Sequence, residues 1–145
     1  MNEKITDKEI LNLLENGIVD TEPLFVMAYH SFIRDPKLDI YEKLVFLHLK
    51  TYAGGKNSCF PGQTTIANDL KISRDKVIKT LKSLQKKGAL LIINQKKENN
   101  RKTTNLYIIA KYDPEKMEFE SASLEKYKCL QDKPIIIAGK EPVII

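Results

Sequence analysis

Residues 60–91, FPGQTTIANDLKISRDKVIKTLKSLQKKGALL, decide the fold. This stretch predicts two short helices joined by a tight turn and followed directly by an apolar strand. The first helix spans residues 63–70, the turn is Lys71-Ile72, and the apolar residues of the helix form one compact group: Ile66, Ala67 and Leu70. Helix, turn, helix and strand in immediate succession indicate a single packed supersecondary unit.

The second helix has a defined start and a defined end. It begins after Ser73, whose hydroxyl can accept a hydrogen bond from the amide of Asp75 or Lys76. It ends at Gly88, after two lysines that suit the negative end of the helix dipole. Three apolar residues at helical spacing predict its buried stripe: Val77, Leu81 and Leu84.

Two elements are predicted near the amino-terminal end. Thr6 and Glu9 have the spacing of a capping box, and apolar residues follow at helical spacing, which predicts a helix over about Asp7 to Asn16. Leu24–His30, LFVMAYH, is short and uniformly apolar and follows Pro23. These properties favour a strand over a helix.

A longer helix is predicted between these elements and residues 60–91. Asp39 is its N-cap, and the helix covers about Ile40 to Tyr52 before two glycines end it. The pattern places Leu44, Leu47 and either Val45 or His48 on the inner face. The residues expected on the outer face are Glu42, Lys43 and Lys50.

A β-hairpin and one more helix are predicted in the second half of the chain. Ala89–Asn94 and Asn105–Tyr112 are the two strands, and Gln95–Thr104, QKKENNRKTT, forms their polar tip. The tip has no apolar side chain to bury, so it is expected in solvent or on a ligand. Asp113-Pro114 is a helix start, and the helix continues to about Lys128.

The predicted elements give an α+β fold, mainly α, with a three-helix core, a β-hairpin wing and short extensions. We expect an N-terminal helical extension at 1–23, a central domain at 24–112, and a C-terminal extension at 113–145. The extension ends in an apolar tail, Pro134–Ile145. Three alternatives stay open for this tail: a further strand, cover for a sheet edge, or packing on a partner.

Positive charge is concentrated in one block of the chain. Between Lys71 and Lys102 there are eleven Lys or Arg residues and two acidic residues, a net charge of +9. The other residues carry thirteen basic and seventeen acidic side chains, a net charge of −4. A positive face of this kind usually meets polyanions. A solvated lysine-rich surface is the alternative, and the position of the block within the helix-turn-helix pattern favours DNA.

The second helix of this pattern suits the major groove of DNA, which requires one apolar face for anchoring and one polar face for entry. The polar face presents the candidate DNA-binding residues Ser73, Arg74, Asp75, Lys76, Lys79, Thr80 and Ser83. Residues early in the helix reach deepest, and Arg74 can pair bidentately with guanine. Asp75 can accept from cytosine, although a capping role is at least as well supported.

Two further groups are candidates for contacts with the DNA backbone and the minor groove. The backbone group, for which ordinary capping or solvation is the alternative, comprises Gln63, Thr64, Thr65, Lys82 and Lys86. The wing group lies at the hairpin tip, and the negative potential of the minor groove attracts basic residues of this kind: Lys96, Lys97, Arg101 and Lys102.

Other functional classes find little support in the sequence. The loop GGKNS at 54–58 lacks both the earlier glycine and the following Ser or Thr of a phosphate-binding loop, and no nucleophile set is suggested, so we expect no enzyme. No cofactor is implied, and His30 and His48 have no partner at metal-ligand spacing. The apolar runs are too short to span a bilayer and no leader pattern is evident, which predicts a cytoplasmic location without membrane contact.

Residues 39–91 resemble the helix-turn-helix domain of bacterial, phage and plasmid replication initiators and replisome organisers. The matching pieces are YEKLVFLHLKTYA, GGKNSCFPGQTTIANDL and ISRDKVIKTLKSLQKKGALL, and the resemblance extends over about Leu24 to Tyr112. It implies a winged helix-turn-helix that binds duplex DNA through Ser73–Lys87 and the wing Gln95–Thr104, often as a dimer. Similar winged helices regulate transcription, so both roles stay open.

We therefore expect double-stranded DNA as the main partner, a homodimer, and a replication or transcription protein as a possible further partner. The role is replication initiation or transcriptional regulation in a bacterial, phage or plasmid system. The alternative is a winged-helix adaptor that binds other proteins through its apolar tail and N-terminal helix without specific DNA binding.

Overall fold

The computed structural model describes residues 6–16, 25–54, 56–97, 104–132, 135–138 and 141–144. Its helices are α1 (Asp7–Asn16), α2 (His30–Ile33), α3 (Ile40–Ala53), α4 (Gln63–Leu70), α5 (Arg74–Lys86), a 3-10 helix (Ser121–Tyr127) and α6 (Cys129–Asp132). Its strands are β1 (Ser58–Cys59), β2 (Leu90–Ile93), β3 (Gln95–Lys97), β4 (Leu106–Ile109), β5 (Tyr112–Asp113), β6 (Glu118–Phe119), β7 (Ile135–Ala138) and β8 (Glu141–Ile144). No helix in this described part of the chain is long and apolar enough to cross a membrane.

Helices α3, α4 and α5 pack around one apolar core against a small sheet. Its members include side chains from all three helices and from β2 and β4: Val45, Leu49, Ile66, Val77, Leu81, Leu84, Leu90 and Tyr107. The burial of these side chains supplies the main driving force for this arrangement. The predicted α+β winged helix-turn-helix class is confirmed, as are the buried stripe of α5 and the apolar group of α4.

Local signals in the sequence set the ends of these helices. Asp39 and Glu42 form a capping box at the start of α3, and the Ser73 hydroxyl accepts from the Lys76 amide at the start of α5. Between α4 and α5 the backbone of Lys71 takes the left-handed conformation with φ of 58°. Thr6 and Glu9 likewise form a capping box before α1. All three predicted N-caps are confirmed.

The sheet behind the helices has the order β1-β4-β2, with antiparallel pairing throughout. Strands β2 and β4 form the predicted hairpin, in register from Leu90 opposite Ile109 to Ile93 opposite Leu106. Beyond β2 the chain continues as β3, which pairs in parallel with β7, and β7 pairs with β8. The apolar tail therefore adds strands to the fold, one of the three alternatives left open by the sequence.

The strand predicted for Leu24–His30 is wrong. Residues 25–29 have no regular secondary structure, α2 begins at His30, and Leu24 lies outside the described residues. The Phe25 side chain is 75% exposed, and the backbone carbonyl of Met27 accepts from Lys50 Nζ at 2.9 Å. The apolar run thus lies on the surface, where the carbonyl is bound by a lysine of α3 instead of a neighbouring strand.

The helix predicted to begin at Asp113 and continue to Lys128 is also wrong. The Asp113 carboxylate accepts from the amides of Glu115 and Lys116, which closes a turn between β5 and β6. In this hairpin the ring centroids of Phe119 and Tyr112 are 5.3 Å apart, and both rings contact the ring of Phe32. Burial of these rings in the core favours the hairpin, and the chain becomes helical only at the 3-10 helix.

Candidate nucleic-acid interface

The inner face of α5 is fixed to α3 by a buried acidic residue. Glu42 is only 2% exposed, and its Oε1 lies 2.7 Å from Lys87 Nζ while its Oε2 accepts from the Ser83 hydroxyl at 2.9 Å. Burial alone would raise the pKa of Glu42, but the hydrogen bonds from Lys87, the Asp39 amide and Ser83 outweigh it and lower the pKa. The expectation that Glu42 lies on the outer face of α3 is wrong, because this charge is paired inside. The expectation that Leu44 lies on the inner face is wrong as well, because its side chain is 44% exposed.

A second polar contact joins α3 to α4. His48 Nε2 lies 2.7 Å from Asp69 Oδ2, and the Tyr52 hydroxyl donates to the same oxygen at 3.3 Å. The hydrogen bond with His48 lowers the pKa of Asp69. Together with the Glu42 contacts, this pair holds α4 and α5 at fixed positions on α3, so that the outer face of α5 has a defined direction.

The outer face of α5 is exposed and basic. Its exposed side chains are Arg74, Asp75, Lys79, Lys82 and Lys86. Lys76 is half-buried, with its Nζ 4.2 Å from the centre of the Tyr41 ring in a cation–π contact. The outer face carries four cations and one acidic residue, Asp75. Asp75 lies in the first turn, where the positive end of the helix dipole stabilises a negative charge.

The starts of α4 and α5 lie next to each other. Arg74 Nη2 donates to Gln63 Oε1 at 3.3 Å, and the adjacent Thr64 and Thr65 side chains are exposed. The N-cap of α4 is Gly62, which offers no side-chain acceptor to the first amides of the helix. The first turns of two helices, with their amides and polar side chains, therefore share one surface.

Comparison with protein families identifies the central part of this structure. Residues 38–90 match the model of a helix-turn-helix domain. This part of the chain is therefore similar to a helix-turn-helix domain. The matched residues cover α3, α4 and α5, the elements that carry the basic outer face. Helix-turn-helix domains bind DNA in general, which suggests the same for this one. No curated protein matches the chain.

Two predicted side chains of the helix-turn-helix domain do not lie on the outer face. Thr80 is 4% exposed, and its hydroxyl donates to the Lys76 carbonyl at 2.6 Å, so the expectation that it lies on the polar face is wrong. Ser83 is half-buried and bonded to Glu42 on α3. Both residues lie next to the apolar stripe of α5. A small hydroxyl that forms a hydrogen bond within the protein is easily buried.

The structure describes little of the predicted wing contacts. Lys96 and Lys97 lie in β3, and Arg101 and Lys102 lie outside the described residues. Gln95 at the start of β3 is only 5% exposed, so the expectation that the tip lies in solvent or on a ligand is wrong for this residue, which the pairing of β3 with β7 draws into the fold. The wing contacts stay a prediction.

Sequence reasoning missed two contacts that shape this surface. Tyr41 lies beneath Lys76 and removes part of that side chain from solvent, and Gln63 accepts from Arg74 across the turn of the helix-turn-helix. Neither contact follows a local spacing rule, because the partners are 35 and 11 positions apart in sequence. In the described ranges no three His, Cys, Asp or Glu residues are grouped to hold a metal ion.

Proposed function

We propose that this chain binds double-stranded DNA in a sequence-dependent manner, with α5 as the recognition helix. The observation that carries the proposal is the division of α5 into two faces. Its inner face is held by the core and by Glu42, while its outer face exposes Arg74, Lys79, Lys82 and Lys86. A rigid helix with a free basic face fits a major groove about 12 Å wide.

The residues on this face divide into two roles. Arg74 and Lys79 lie in the first half of α5 and are proposed to reach base edges, with Ser73, Asp75 and Lys76 beside them. Lys82 and Lys86 lie further along and are proposed to contact phosphates, together with Thr64 and Thr65 at the start of α4. Phosphate contacts position the protein, and base contacts give the sequence preference.

The proposal extends to the biological role and the assembly. The protein acts in replication initiation or transcriptional regulation of a bacterial, phage or plasmid system, and it binds as a homodimer. The support is the resemblance of residues 39–91 to replication initiators and to similar regulatory winged helices. A dimer of this kind binds two half-sites about one helical turn apart.

A protein-binding adaptor is the second candidate, and one observation favours it. Exposed apolar side chains are frequent outside the basic face, on the segment before α2, at the end of α2 and on α3: Phe25, Met27, Tyr29, Ile33, Ile40 and Leu44. Contiguous exposed apolar surface is typical of interfaces between proteins. An adaptor does not require the basic face of α5, which is why DNA binding is placed first.

The test is selection of bound duplexes from a random-sequence pool at near-physiological salt. Enrichment of an inverted repeat supports a dimer that reads sequence. The affinity for the selected duplex is expected to fall about 10³-fold between about 50 and 200 mM salt if about six phosphates are contacted. A pool without any enriched sequence contradicts the proposal and favours the adaptor.

A further inference from the structure

The contact between Arg74 and Gln63 has a defined hydrogen-bond direction. A guanidinium group has donors only, so the Gln63 amide must turn its carbonyl oxygen toward Arg74, at 3.3 Å from Nη2. The amide NH₂ group then points away from Arg74. Arg74 is exposed and Gln63 is half-buried, and both lie at the first position of their helices. The guanidinium group of Arg74 therefore presents only N–H donors to a ligand, while the Gln63 oxygen holds it from behind.

Gln63 is also placed against the buried part of the sheet. The Tyr107 side chain is fully buried, and Gln63 and Asn105 lie beside it. Within the described part of the chain the Tyr107 hydroxyl makes no hydrogen bond. Burial raises the pKa of Tyr107, and these two neighbouring side chains act in the opposite direction. Gln63 thus lies between a rigid strand residue and Arg74, which limits the positions open to its amide.

This arrangement discriminates between purines. Adenine offers an acceptor at N7 and a donor at N6, so an isolated glutamine reads it with its amide NH₂ and its carbonyl together. In this protein the Gln63 carbonyl is turned toward Arg74, so the base contact falls to the guanidinium group. Guanine offers two acceptors, O6 and N7, which match the paired N–H donors of a guanidinium group. An adenine at the same place would set its N6 donor against an arginine donor.

We propose that Gln63 is a positioning residue that orients Arg74 toward guanine, and that the pair discriminates against adenine at this position of the bound duplex. This inference rests on the proposed function and deepens it. Gln63 is thereby a determinant of specificity, beyond the phosphate contact expected from the sequence. Arg74 makes the base contact, and Gln63 acts through it.

The experiment uses the full chain and the duplex selected from the random pool. The contacted guanine is the position whose preference disappears in Arg74→Ala. Binding is then measured to three duplexes that carry guanine, adenine or 7-deazaguanine there, since 7-deazaguanine lacks the N7 acceptor. Wild-type protein is expected to favour guanine over each of the other two by about tenfold, the usual size of a good bidentate contact.

Two substitutions of Gln63 separate orientation from a simple contact. Gln63→Ala is expected to reduce the preference for guanine to about two- to threefold, because the Arg74 side chain is no longer fixed, without changing the melting temperature. Gln63→Glu is expected to keep the tenfold preference, because a carboxylate also accepts from Arg74, while overall affinity falls through repulsion of nearby phosphates. Thr64→Ala is the matched control at the same helix end, and it is expected to lower affinity equally for all three duplexes.

The outcomes distinguish this inference from the function on which it rests. A wild-type protein that selects no duplex sequence overturns the proposed function and, with it, the inference. A selected motif whose guanine preference is unchanged in Gln63→Ala overturns the inference alone. An equal loss of preference in Gln63→Ala and Gln63→Glu also overturns it, since orientation by an acceptor is then not the cause.

Discussion

The two faces of α5 differ in what holds them and in what they offer. The inner face buries Val77, Leu81 and Leu84 in the core, and its two hydroxyls are bonded within the protein. The outer face exposes Arg74 and four further charged side chains. One helix therefore combines two roles, and we expect substitutions on the inner face to change stability and substitutions on the outer face to change binding.

The largest expected effect is on the inner face. Leu81→Ala removes a fully buried side chain from the centre of the core, and we expect the free energy of unfolding to fall by about 2–5 kcal/mol. Urea denaturation followed by circular dichroism measures this loss. The fraction that remains folded should bind duplex DNA with unchanged affinity. A loss below about 0.5 kcal/mol would contradict the assignment of Leu81 to the core.

The next effect concerns the polar part of the inner face. Glu42→Gln removes the charge that pairs with Lys87, and we expect a loss of about 1–3 kcal/mol at neutral pH, moderated because Lys87 is partly exposed. The two variants Glu42→Gln and Ser83→Ala should not be additive, since the side chains share a hydrogen bond. Additive losses would show that the contact does not form.

The same residue predicts a dependence of stability on pH. The pKa of Glu42 is lowered in the folded protein from its ordinary value of 4.5. Its contribution is therefore complete above about pH 4.5 and is lost as the pH falls through the lowered value. Unfolding measured between pH 3 and 7 should lose less stability in acid for Glu42→Gln than for wild type. Parallel pH profiles for the two proteins would contradict this prediction.

A smaller effect is expected at the start of α5. Ser73→Ala removes the hydroxyl that accepts from the Lys76 amide, at an expected cost of about 1 kcal/mol. Ser73→Gly is the matched control, with a cost of only a few tenths of a kcal/mol, because glycine is tolerated as an N-cap. Thermal unfolding compares the two variants. Equal stability of Ser73→Ala and wild type would mean that this cap does not contribute.

The smallest effect sharpens the boundary between the two faces. Thr80→Val keeps the shape of a buried side chain and removes one hydroxyl, and we expect a change of at most about 0.5 kcal/mol in stability, because a hydroxyl that bonds back to the helix carbonyl of Lys76 adds little to stability. Duplex affinity should be unchanged, because Thr80 lies on the inner face. A tenfold loss of affinity in fluorescence anisotropy, with stability retained, would place Thr80 on the DNA side.

The sequence predicted the parts of the fold that depend on neighbouring residues. The N-caps Asp39 and Ser73 bond to amides three positions away, and the stripe of α5 repeats at helical spacing, so each could be read locally. Reliance on neighbouring residues also explains one wrong prediction. Asp113 gives the signal of a helix start, but its carboxylate closes a turn, and only the distant contact between Phe119 and Phe32 decides in favour of the hairpin.

The candidate site shows the same limit. Arg74 and Lys79 were found from charge and helical position. The burial of Glu42 depends on Lys87, 45 positions later, and the orientation of Arg74 depends on Gln63 across the turn. A charged residue is expected on the surface unless a partner is known, and the partner becomes visible only when the helices are packed. The sequence thus located the outer face but not the contacts that orient it.

A paired measurement on the outer face tests the assignment of α5 as the recognition helix. Arg74→Ala with Lys79→Ala is compared with Lys116→Ala with Lys126→Ala, which removes the same charge from exposed residues outside the helix-turn-helix domain. Duplex affinity and the melting temperature are measured for both. We predict that the first pair abolishes sequence-specific binding with an unchanged melting temperature, whereas the control pair binds like wild type. Equal affinities for the two double variants would contradict the assignment of α5 as the recognition helix.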